Sequence, residues 1–587
     1  MGAPPAPAAT PVPWGTLISL FVAVSCAKIL LMPSYRSTDF DVHRNWLAIA
    51  RHLPLKEWYY NDVNGTTVHT LDYPPTFAYF EYLLANNPVT NWLLRHDYLD
   101  DRCLALLPDT NNTPTVACIV FSRATVIASD LVLWWGSWIA SANAHVQVHH
   151  NNAETHSVQN KAPRYHRLYL AKRDVWLPTS FLLIVLHPGL LWLDHVHFQY
   201  NGMLFGIFLA SIGYLLQGNN LRDNNTATGD FHKCHWKAAV LFALLLTMKH
   251  LFLTLAPFYF VYLLRRYCLS WQPEPQRLQL QPLRLLALGM YTGTTLLVPF
   301  LPFLKQLPQV ATRLFPFGRG LVHDYWAANV WALYTLVQDK VLPKLLPDLK
   351  PLPQVEASTC ASLLLVALLP GLYWGAWKAA AEENNVRLLL AVVYSALASF
   401  QLGFHVHEKA ILNAMIPLTL LVTMRRTITS TTVRIPNHQD LTDFRMLFWC
   451  MSAFGLLGLF PLLFRPAETP LKLVSYIAYL AVCYHVLLEQ PPQTSNTTTS
   501  SSSDHGSSSS PKKKTVSSPP GTALTLTQQA VLFLTTMLVM GIVMILEFVP
   551  MKWFGKLEFL PLLCTSVGCA AGLILCWLHL LQLIIYL

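Results

Sequence analysis

The stretch Trp14–Met32, WGTLISLFVAVSCAKILLM, is apolar over a length that matches the hydrocarbon core of a bilayer. A helix needs about 20 mainly apolar residues to cross that core. No basic segment precedes the run and no small-residue cleavage site follows it, so we interpret it as a retained transmembrane helix and not as a signal peptide. A polar stretch follows closely, Ser37–Trp46, with the sequence STDFDVHRNW.

Similar apolar runs recur along the 587 residues of the chain. Hydrophobic residues make up 53% of the sequence and charged residues only 12%, whereas soluble domains carry about 25% charged residues. We therefore predict an all-α polytopic membrane protein with about 14 transmembrane helices. The predicted spans are 14–32, 116–141, 174–193, 201–217, 236–249, 251–265, 283–304, 358–378, 387–404, 409–424, 443–463, 470–488, 523–547 and 557–586.

Two long loops of mixed polarity interrupt the spans and are expected to carry interfacial helices. Within them, the apolar stretches 72–85 and 328–343 are predicted not to cross the membrane. Only then do the Arg- and Lys-rich connectors share one side, which the positive-inside rule makes cytoplasmic, while the polar motifs share the other. The predicted parts are an N-terminal transmembrane module (1–304) that includes the first loop (33–114), the second loop (305–357), and a C-terminal transmembrane module (358–587) that includes a disordered cytoplasmic linker (490–520).

The net charge of +10 is explained by these basic connectors, so we expect no nucleic-acid partner. A His-rich segment, 144–173, is interpreted as a solvated linker in preference to a metal site, because its histidines are irregularly spaced. Most cysteines lie inside apolar runs, which is typical of small core residues and argues against a disulfide framework or a zinc site. They include Cys26, Cys118, Cys450, Cys564, Cys569 and Cys576.

Polar clusters far apart in the sequence are predicted to converge on one side of the membrane. Ionisable groups beside an apolar core are costly and tend to face a cavity. Other interpretations remain open for two of these clusters. Thr38 or Asp39 could be the N-cap of a helix, and residues 194–201 could form a polar turn that satisfies helix ends or a metal site. The clusters contain Asp39, Asp41 and Arg44; Asp72 and Tyr73; His195, His197 and Gln199; Arg313 and Arg319; and His405, His407, Glu408 and Lys409.

Carboxylates, cations and aromatic rings together suit a reaction of a sugar phosphate. Aromatic faces pack against sugar rings, and cations bind phosphate. The sequence has no Gly-x-Gly-x-x-Gly fingerprint and no Walker loop, so a soluble nucleotide-sugar donor is not expected. A lipid-carried donor requires neither motif.

These motifs resemble the endoplasmic-reticulum glucosyltransferases that use dolichyl-phosphate glucose, which belong to the GT-C class of membrane glycosyltransferases. The resemblance covers about residues 14–464 and is carried by Thr38–Ile49, Leu71–Pro75, Asp194–Gly202, Lys249-His250, Leu307–Gly320, Tyr325–Ala327 with Asn329, Trp331–Tyr334 and His405–Leu412. Within the family, the motifs are most similar to the member that adds the second glucose, in α-1,3 linkage, to the monoglucosylated lipid-linked oligosaccharide. The first-glucose member typically has Gln-Arg-His-Trp at 43–46 and lacks the doublet at His405 and His407. The chain departs from its relatives at Asp41, where they usually carry Glu.

The resemblance implies a GT-C-type bundle with luminal loops and an inverting reaction in a single displacement. The leaving group is a phosphate that is already stable as an anion, so one carboxylate base is enough. Asp39 matches the aspartate to which the family assigns this role, and it would take the proton from the 3-hydroxyl of the acceptor glucose. No metal and no cofactor is required. The residues assigned to substrate binding are Asp41, Arg44, Asp72, Tyr73, His195, His197, Gln199, Arg313, Arg319, His405, His407, Glu408 and Lys409.

The implied partners are dolichyl-phosphate glucose as donor, dolichyl-diphosphate-linked oligosaccharide as acceptor, and the lipid bilayer. The implied location is the endoplasmic-reticulum membrane, with Asp39 facing the lumen and the reaction serving N-glycan precursor assembly. Two catalytic or transport alternatives stay open: the first-glucose transferase of the same family, and a lipid or sugar transporter. A transporter predicts internal repeats, and the sequence shows no convincing one. A noncatalytic subunit of a glycan-assembly complex is a third alternative.

Overall fold

The computed structural model describes residues 14–60, 69–106, 113–144, 178–221, 228–272, 276–322, 326–348, 350–424, 438–488, 526–549 and 559–586. Up to residue 304 its α-helices are α1 Trp14–Leu30, α2 Thr38–His52, α3 Pro75–Asn86, α4 Pro88–Arg95, α5 Val116–Asn143, α6 Thr179–Val185, α7 Pro188–Leu190, α8 Asn201–Asn220, α9 Thr228–Met248, α10 Ala256–Leu263 and α11 Pro282–Leu297. Beyond it they are α12 Leu307–Leu314, α13 Val330–Leu336, α14 Leu342–Leu345, α15 Ala357–Pro370, α16 Lys378–Glu382, α17 Asn385–Leu402, α18 Leu412–Thr423, α19 His438–Leu457, α20 Thr469–Leu488, α21 Leu526–Phe548 and α22 Leu560–Tyr586.

Among the described residues, eight helical stretches are long and apolar enough to cross a membrane. They are Val116–Asn143, Thr179–Phe198, Asn201–Asn220, Pro282–Leu314, Ala357–Glu382, Asn385–Leu402, Phe444–Leu462 and Leu560–Tyr586. Two shorter apolar helices are Trp14–Leu30 and Phe533–Phe548. The prediction of an all-α polytopic membrane protein is confirmed at this level. Each predicted span overlaps a helix, and the count of about 14 crossings stays a prediction.

One antiparallel hairpin departs from the all-helical prediction. Strands β1 Leu269–Gln272 and β2 Arg277–Leu280 pair with Leu269 opposite Leu280. The hairpin is four residues long on each side and joins α10 to α11, so it leaves the helical architecture unchanged. The segments 145–177 and 489–525, which contain nearly all of the predicted His-rich and Ser-rich linkers, lie outside the described residues.

The core of the N-terminal half is the contact between α5 and α8. A Cβ atom on Gly136 would lie within 3 Å of the backbone of Gly206, so the two helices approach backbone to backbone. Small residues permit such close approach between membrane helices. This contact places Asp130 of α5 next to the start of α8, beside Gly202.

The first loop packs two short helices against α2. Helix α3 begins at Pro75, whose fixed φ and missing N–H suit the first helical position. Its 12 residues span only about 18 Å, well short of the hydrocarbon core. The side chains of Asn45 and Trp46 donate to the carbonyls of His69 and Thr70, 2.8 and 3.0 Å away, and so fix the chain that leads into α3.

A disulfide joins Cys103 to Cys118, so the prediction that the cysteines are only core residues is wrong at this pair. Cys118 lies in the first turn of α5, where its N–H is capped by the hydroxyl of Thr115. It is therefore at the helix end that meets the first loop, and not at membrane depth. Nine other cysteines of the described chain are free thiols.

Candidate active site

Helix α2 begins beside the segment that precedes α8. Its N-cap is Ser37 and not Thr38 or Asp39, the two predicted candidates, and the Ser37 hydroxyl accepts from the N–H of Asp39 at 3.2 Å. The same hydroxyl donates to the carbonyl of His197. Asp39 thus lies in the first turn of α2, where the helix dipole favours a negative charge, and it faces His197.

Three side chains bind a single oxygen of Asp39. Lys409 donates to Oδ2 at 2.7 Å, Gln199 donates at 2.5 Å, and Nε2 of His197 lies 3.2 Å away. We call Asp39, Lys409 and His197 the open triad, because 28% of the Asp39 side chain is exposed. No described side chain donates to Oδ1 of Asp39.

The surroundings of Asp39 keep its carboxyl ionised. Burial by itself raises its pKa, but the Lys409 ammonium and His197 outweigh that effect and hold the pKa well below its usual range. Asp39 is therefore a carboxylate at neutral pH.

The segment between α7 and α8 is wound as π-helical turns, Leu191–Phe198, and ends in a constrained backbone. Phe198 has φ +83°, which is rare for a bulky residue and marks local strain. Its ring is held edge-on by Phe40, 4.9 Å away. This turn directs His197 and Gln199, the residues on each side of it, toward Asp39.

Asp194 ends this segment by capping α8. Its Oδ1 accepts from the backbone and the side chain of Asn201, both at 3.0 Å, and its Oδ2 accepts from the N–H of Gly202 at 2.5 Å. A carboxylate at a helix N-terminus satisfies otherwise unpaired N–H groups. This arrangement matches the polar-turn alternative for residue 194, while the neighbouring Gln199 belongs to the site.

His195 faces a second carboxylate, away from Asp39. Its Nε2 lies 3.1 Å from Oδ2 of Asp130, and Lys28 of α1 donates to the same oxygen at 2.6 Å. We call Lys28, Asp130 and His195 the buried triad, because only 3% of the Asp130 side chain is exposed. Arg123 supports it by donating to the carbonyls of His195 and Val196. The predicted substrate-binding role of His195 stays a prediction.

Lys409 reaches the site from a loop that is pinned to the second long loop. The N–H of His405 donates to the carbonyl of Leu321 at 3.0 Å, and Val406 forms a parallel bridge with Val322. His405 has φ +51°, so this turn is also constrained. The ring of His407 lies 5.9 Å from that of His405.

Other predicted site residues surround Asp39 at greater distance or point elsewhere. Asp41 pairs with buried Arg44 at 3.0 Å on the next turn of α2. Burial and the neighbouring carboxylates of Asp72 and Asp39 raise the pKa of Tyr73 well above its usual range, so its hydroxyl stays protonated. Glu408 is buried, which raises the pKa of its carboxyl.

Two predicted cations are not brought to Asp39 by any described contact. Arg313 donates to the carbonyl of Tyr59 at 3.4 Å and so joins α12 to the first loop. The backbone of Arg319 is described, but its side chain lies outside the described part of the chain, as do residues 323–325. Their substrate-binding roles stay predictions.

Several polar residues near the site were not predicted. Glu81 of α3 is fully buried, and its carboxylate lies 2.7 Å from Nδ1 of His43. His43 follows Asp39 by four residues and therefore lies on the same face of α2. Lys249 donates to Asn201 at 3.0 Å and lies 5.3 Å from the centre of the Tyr73 ring. A charged residue inside or next to an apolar run was the available signal in both cases. Within the described residues, no group of three or more His, Cys, Asp or Glu side chains is arranged to hold a metal ion.

Comparison with known proteins identifies a family match over most of the chain. Residues 24–580 match the model of the ALG6, ALG8 glycosyltransferase family. This chain belongs to that family. The resemblance identified from the motifs is thereby confirmed, and the chain is a glycosyltransferase of the ALG6, ALG8 family.

Relatives in the ALG6, ALG8 family share one description. A fruit-fly protein, "Probable dolichyl pyrophosphate Glc1Man9GlcNAc2 alpha-1,3-glucosyltransferase", is 37% identical over 480 residues, which are 78% of each chain. A Gibberella zeae protein with the same description without "Probable" is 35% identical over 500 residues, 80% of this chain and 83% of its own. The mouse protein of that name is 35% identical over 492 residues, 78% of this chain and 80% of its own.

Proposed function

We propose that this chain transfers glucose from dolichyl-phosphate glucose to Glc1Man9GlcNAc2 on dolichyl pyrophosphate, forming an α-1,3 linkage. The proposal assigns it the second glucose of the N-glycan precursor. It is supported by the shared description of relatives at 33–37% identity, from fungi, plants and animals. The motif differences at 43–46 and 405–407 also favour the second glucose over the first.

The observation that carries the proposal is the open triad. A transferase with an anionic phosphate as leaving group needs a base but no acid. The site offers one ionised carboxylate whose Oδ2 is held by Lys409, Gln199 and His197 and whose Oδ1 is bound by no described side chain. A base held by one oxygen keeps its orientation while the other oxygen takes the proton.

The reaction then follows as an inverting displacement. The acceptor 3-hydroxyl donates a hydrogen bond to Oδ1 of Asp39 and gives up its proton as its oxygen attacks the anomeric carbon of the donor glucose. The bond between that carbon and the phosphate oxygen breaks, and dolichyl phosphate leaves with the electron pair. The β-linked donor thus becomes an α-linked product.

Cations stabilise the negative charge that grows on the departing phosphate. Lys409 is the first of them, because it already lies in the site and its ammonium has donors beyond the one given to Asp39. His405 and His407 lie on the same loop as Lys409, and His197 lies on the segment that precedes α8. We assign Asp41, Arg44, Asp72, Tyr73, Gln199 and Glu408 to positioning of donor or acceptor, and Arg313 and Arg319 to the phosphate.

The disulfide supports a luminal site in the endoplasmic reticulum. Disulfides form in oxidising compartments, of which the lumen of this organelle is one. The segment that Cys103 anchors touches α2, because Arg44 donates to the carbonyl of Arg102 at 3.3 Å. The proposed topology has about 14 crossings, luminal loops at 33–114 and 305–357, and transmembrane modules 1–304 and 358–587.

Acceptor choice tests the proposal most sharply. The purified chain in lipid nanodiscs is given dolichyl-phosphate glucose with acceptors that carry either no glucose or one. We expect transfer to the monoglucosylated acceptor and little to the other, with an α-1,3 linkage in the product. Preference for the unglucosylated acceptor would assign the first glucose, and transport without transfer would contradict the enzymatic proposal.

A further inference from the structure

A chain of hydrogen bonds connects a lysine outside the open triad to the base. Lys249 donates to Oδ1 of Asn201 at 3.0 Å, and Nδ2 of Asn201 donates to Oε1 of Gln199 at 2.7 Å. Nε2 of Gln199 donates to Oδ2 of Asp39 at 2.5 Å. Every link donates in the same direction, from Lys249 to Asp39.

This direction is dictated by the two ends of Asn201. An ammonium group can only donate and a carboxylate can only accept. Lys249 therefore requires the amide oxygen of Asn201 on its side, and Asp194, whose Oδ1 lies 3.0 Å from Nδ2, requires the amide nitrogen on the other. With the Asn201 nitrogen fixed, Gln199 must turn its oxygen to Asn201 and its nitrogen to Asp39.

The opposite orientation would disrupt the base. If Gln199 presented its oxygen to Asp39, two acceptors would face each other in a largely buried site, which is costly at low dielectric. Asp39 would rotate away, and Oδ1 would no longer be reserved for the acceptor hydroxyl.

We propose that Lys249 is a positioning residue of the transfer: through Asn201 it orients Gln199, which fixes Oδ2 of Asp39 and leaves Oδ1 for the acceptor. The inference rests on the proposed function and goes beyond it by assigning a role to a residue outside the open triad. Lys249 acts through other side chains, and its ammonium rests over the ring of Tyr73, 5.3 Å from its centre.

The test compares Lys249→Met, Lys249→Arg and a control, Lys233→Met, with wild type. Lys233 lies near the opposite end of α9, is 64% exposed and contacts only Asp230 among described residues. We expect Lys249→Met to lower kcat by about 10- to 100-fold, the loss typical of residues that orient a metal ligand without touching the metal, with KM for dolichyl-phosphate glucose unchanged. Lys249→Arg can still donate to Asn201 and should retain most of the activity. Lys233→Met should behave as wild type.

A double-mutant cycle separates this role from a general loss of structure. If Lys249 acts through Gln199, Lys249→Met should have no further effect on kcat once Gln199→Met is present. If the losses in kcat of the two single variants multiply in the double variant, the inference is overturned. A raised KM for the donor in Lys249→Met, which would indicate a direct contact with the phosphate, would also overturn it. Unchanged kcat in Lys249→Met would overturn it too, while wild-type transfer leaves the proposed function intact. A wild-type chain that transfers no glucose contradicts the proposed function itself.

Discussion

The open triad and the buried triad contain the same three groups in nearly the same geometry. The lysine lies 2.7 Å from the carboxylate in the open triad and 2.6 Å in the buried one. The histidine lies 3.2 Å and 3.1 Å away, respectively. Both histidines come from the segment Leu191–Phe198. The chemistry of the groups therefore does not decide which triad reacts.

Access distinguishes the two. The carboxylate side chain is 28% exposed in the open triad and 3% exposed in the buried one. A Cβ atom on Gly202 would lie 3.0 Å from Oδ1 of Asp130, so that oxygen is covered by α8. No described side chain donates a hydrogen bond to Oδ1 of Asp39, because its three side-chain partners lie on Oδ2. The same motif is thus buried within the helix bundle at one place and partly exposed, as the proposed reaction requires, at the other.

The largest expected effect on stability comes from neutralising the buried triad. Asp130→Asn leaves the Lys28 charge buried without its carboxylate, which typically costs about 3–5 kcal/mol. We expect a clear fall in the thermal unfolding temperature of the detergent-solubilised chain, largely recovered when Lys28→Met is added. Asp39→Asn should change that temperature little, because its side chain is partly exposed. Equal destabilisation by Asp130→Asn and Asp39→Asn would contradict a structural role that is specific to the buried triad.

Lys409→Met tests the electrostatics of the open triad. Without the ammonium, only His197 still offsets burial, and the pKa of Asp39 rises. Because a base works only when ionised, the acid-side fall in kcat/KM should move to higher pH, and the maximal rate should drop about 10²- to 10³-fold. Lys28→Met should leave the pH profile in place. An unshifted profile in Lys409→Met would contradict the assigned ion pair.

The disulfide should affect α2 more than the buried triad. Cys103 anchors Asp101–Leu104, whose carbonyls accept from Arg44 and His52 of α2. Replacing both cysteines by Ser should cost about 2–3 kcal/mol for this short loop. Hydrogen exchange should increase in α2 before it increases in α5. An equal increase in exchange in α2 and α5 would contradict the expectation that the disulfide specifically supports α2, the helix that carries Asp39.

The smallest effect is expected at Asp41, where relatives usually carry Glu. Its side chain is 44% exposed and pairs with Arg44 within one helix, and such pairs contribute about 0.3–0.5 kcal/mol. A free-energy difference of that size corresponds to a factor of about two in rate, so Asp41→Glu should change kcat by no more than about twofold. A tenfold change would show that the shorter side chain matters to catalysis.

The sequence was sufficient to predict the helical membrane class and the position of Asp39, because apolar runs and charged motifs are local signals. It also grouped Gln199, His197 and Lys409 with Asp39, and the structure brings them together. It did not separate His195 from His197. Their opposite partners depend on the π-helical winding and the positive φ at Phe198, which no periodicity predicts.

What the sequence missed lies in tertiary contacts. Lys28 and Asp130 are 102 positions apart and meet only because of how α1 and α5 pack, so each is an isolated charge in an apolar run of the sequence. Cys118 was interpreted as a core residue because it begins an apolar helix, although its first-turn position exposes it to Cys103. The direction of the hydrogen bonds from Lys249 to Asp39 likewise depends on Lys249 and Asp194, which only the folded chain brings to the two ends of the Asn201 amide.

The most direct test of the open triad as the reacting one is single-turnover transfer by Asp39→Asn, with donor binding measured in parallel. Asparagine keeps the shape of the side chain but is no base. Transfer should fall by about 10²- to 10⁴-fold, the usual contribution of a general base, while the Kd for dolichyl-phosphate glucose stays close to that of wild type. Substantial transfer by Asp39→Asn would contradict the assignment of Asp39 as the base.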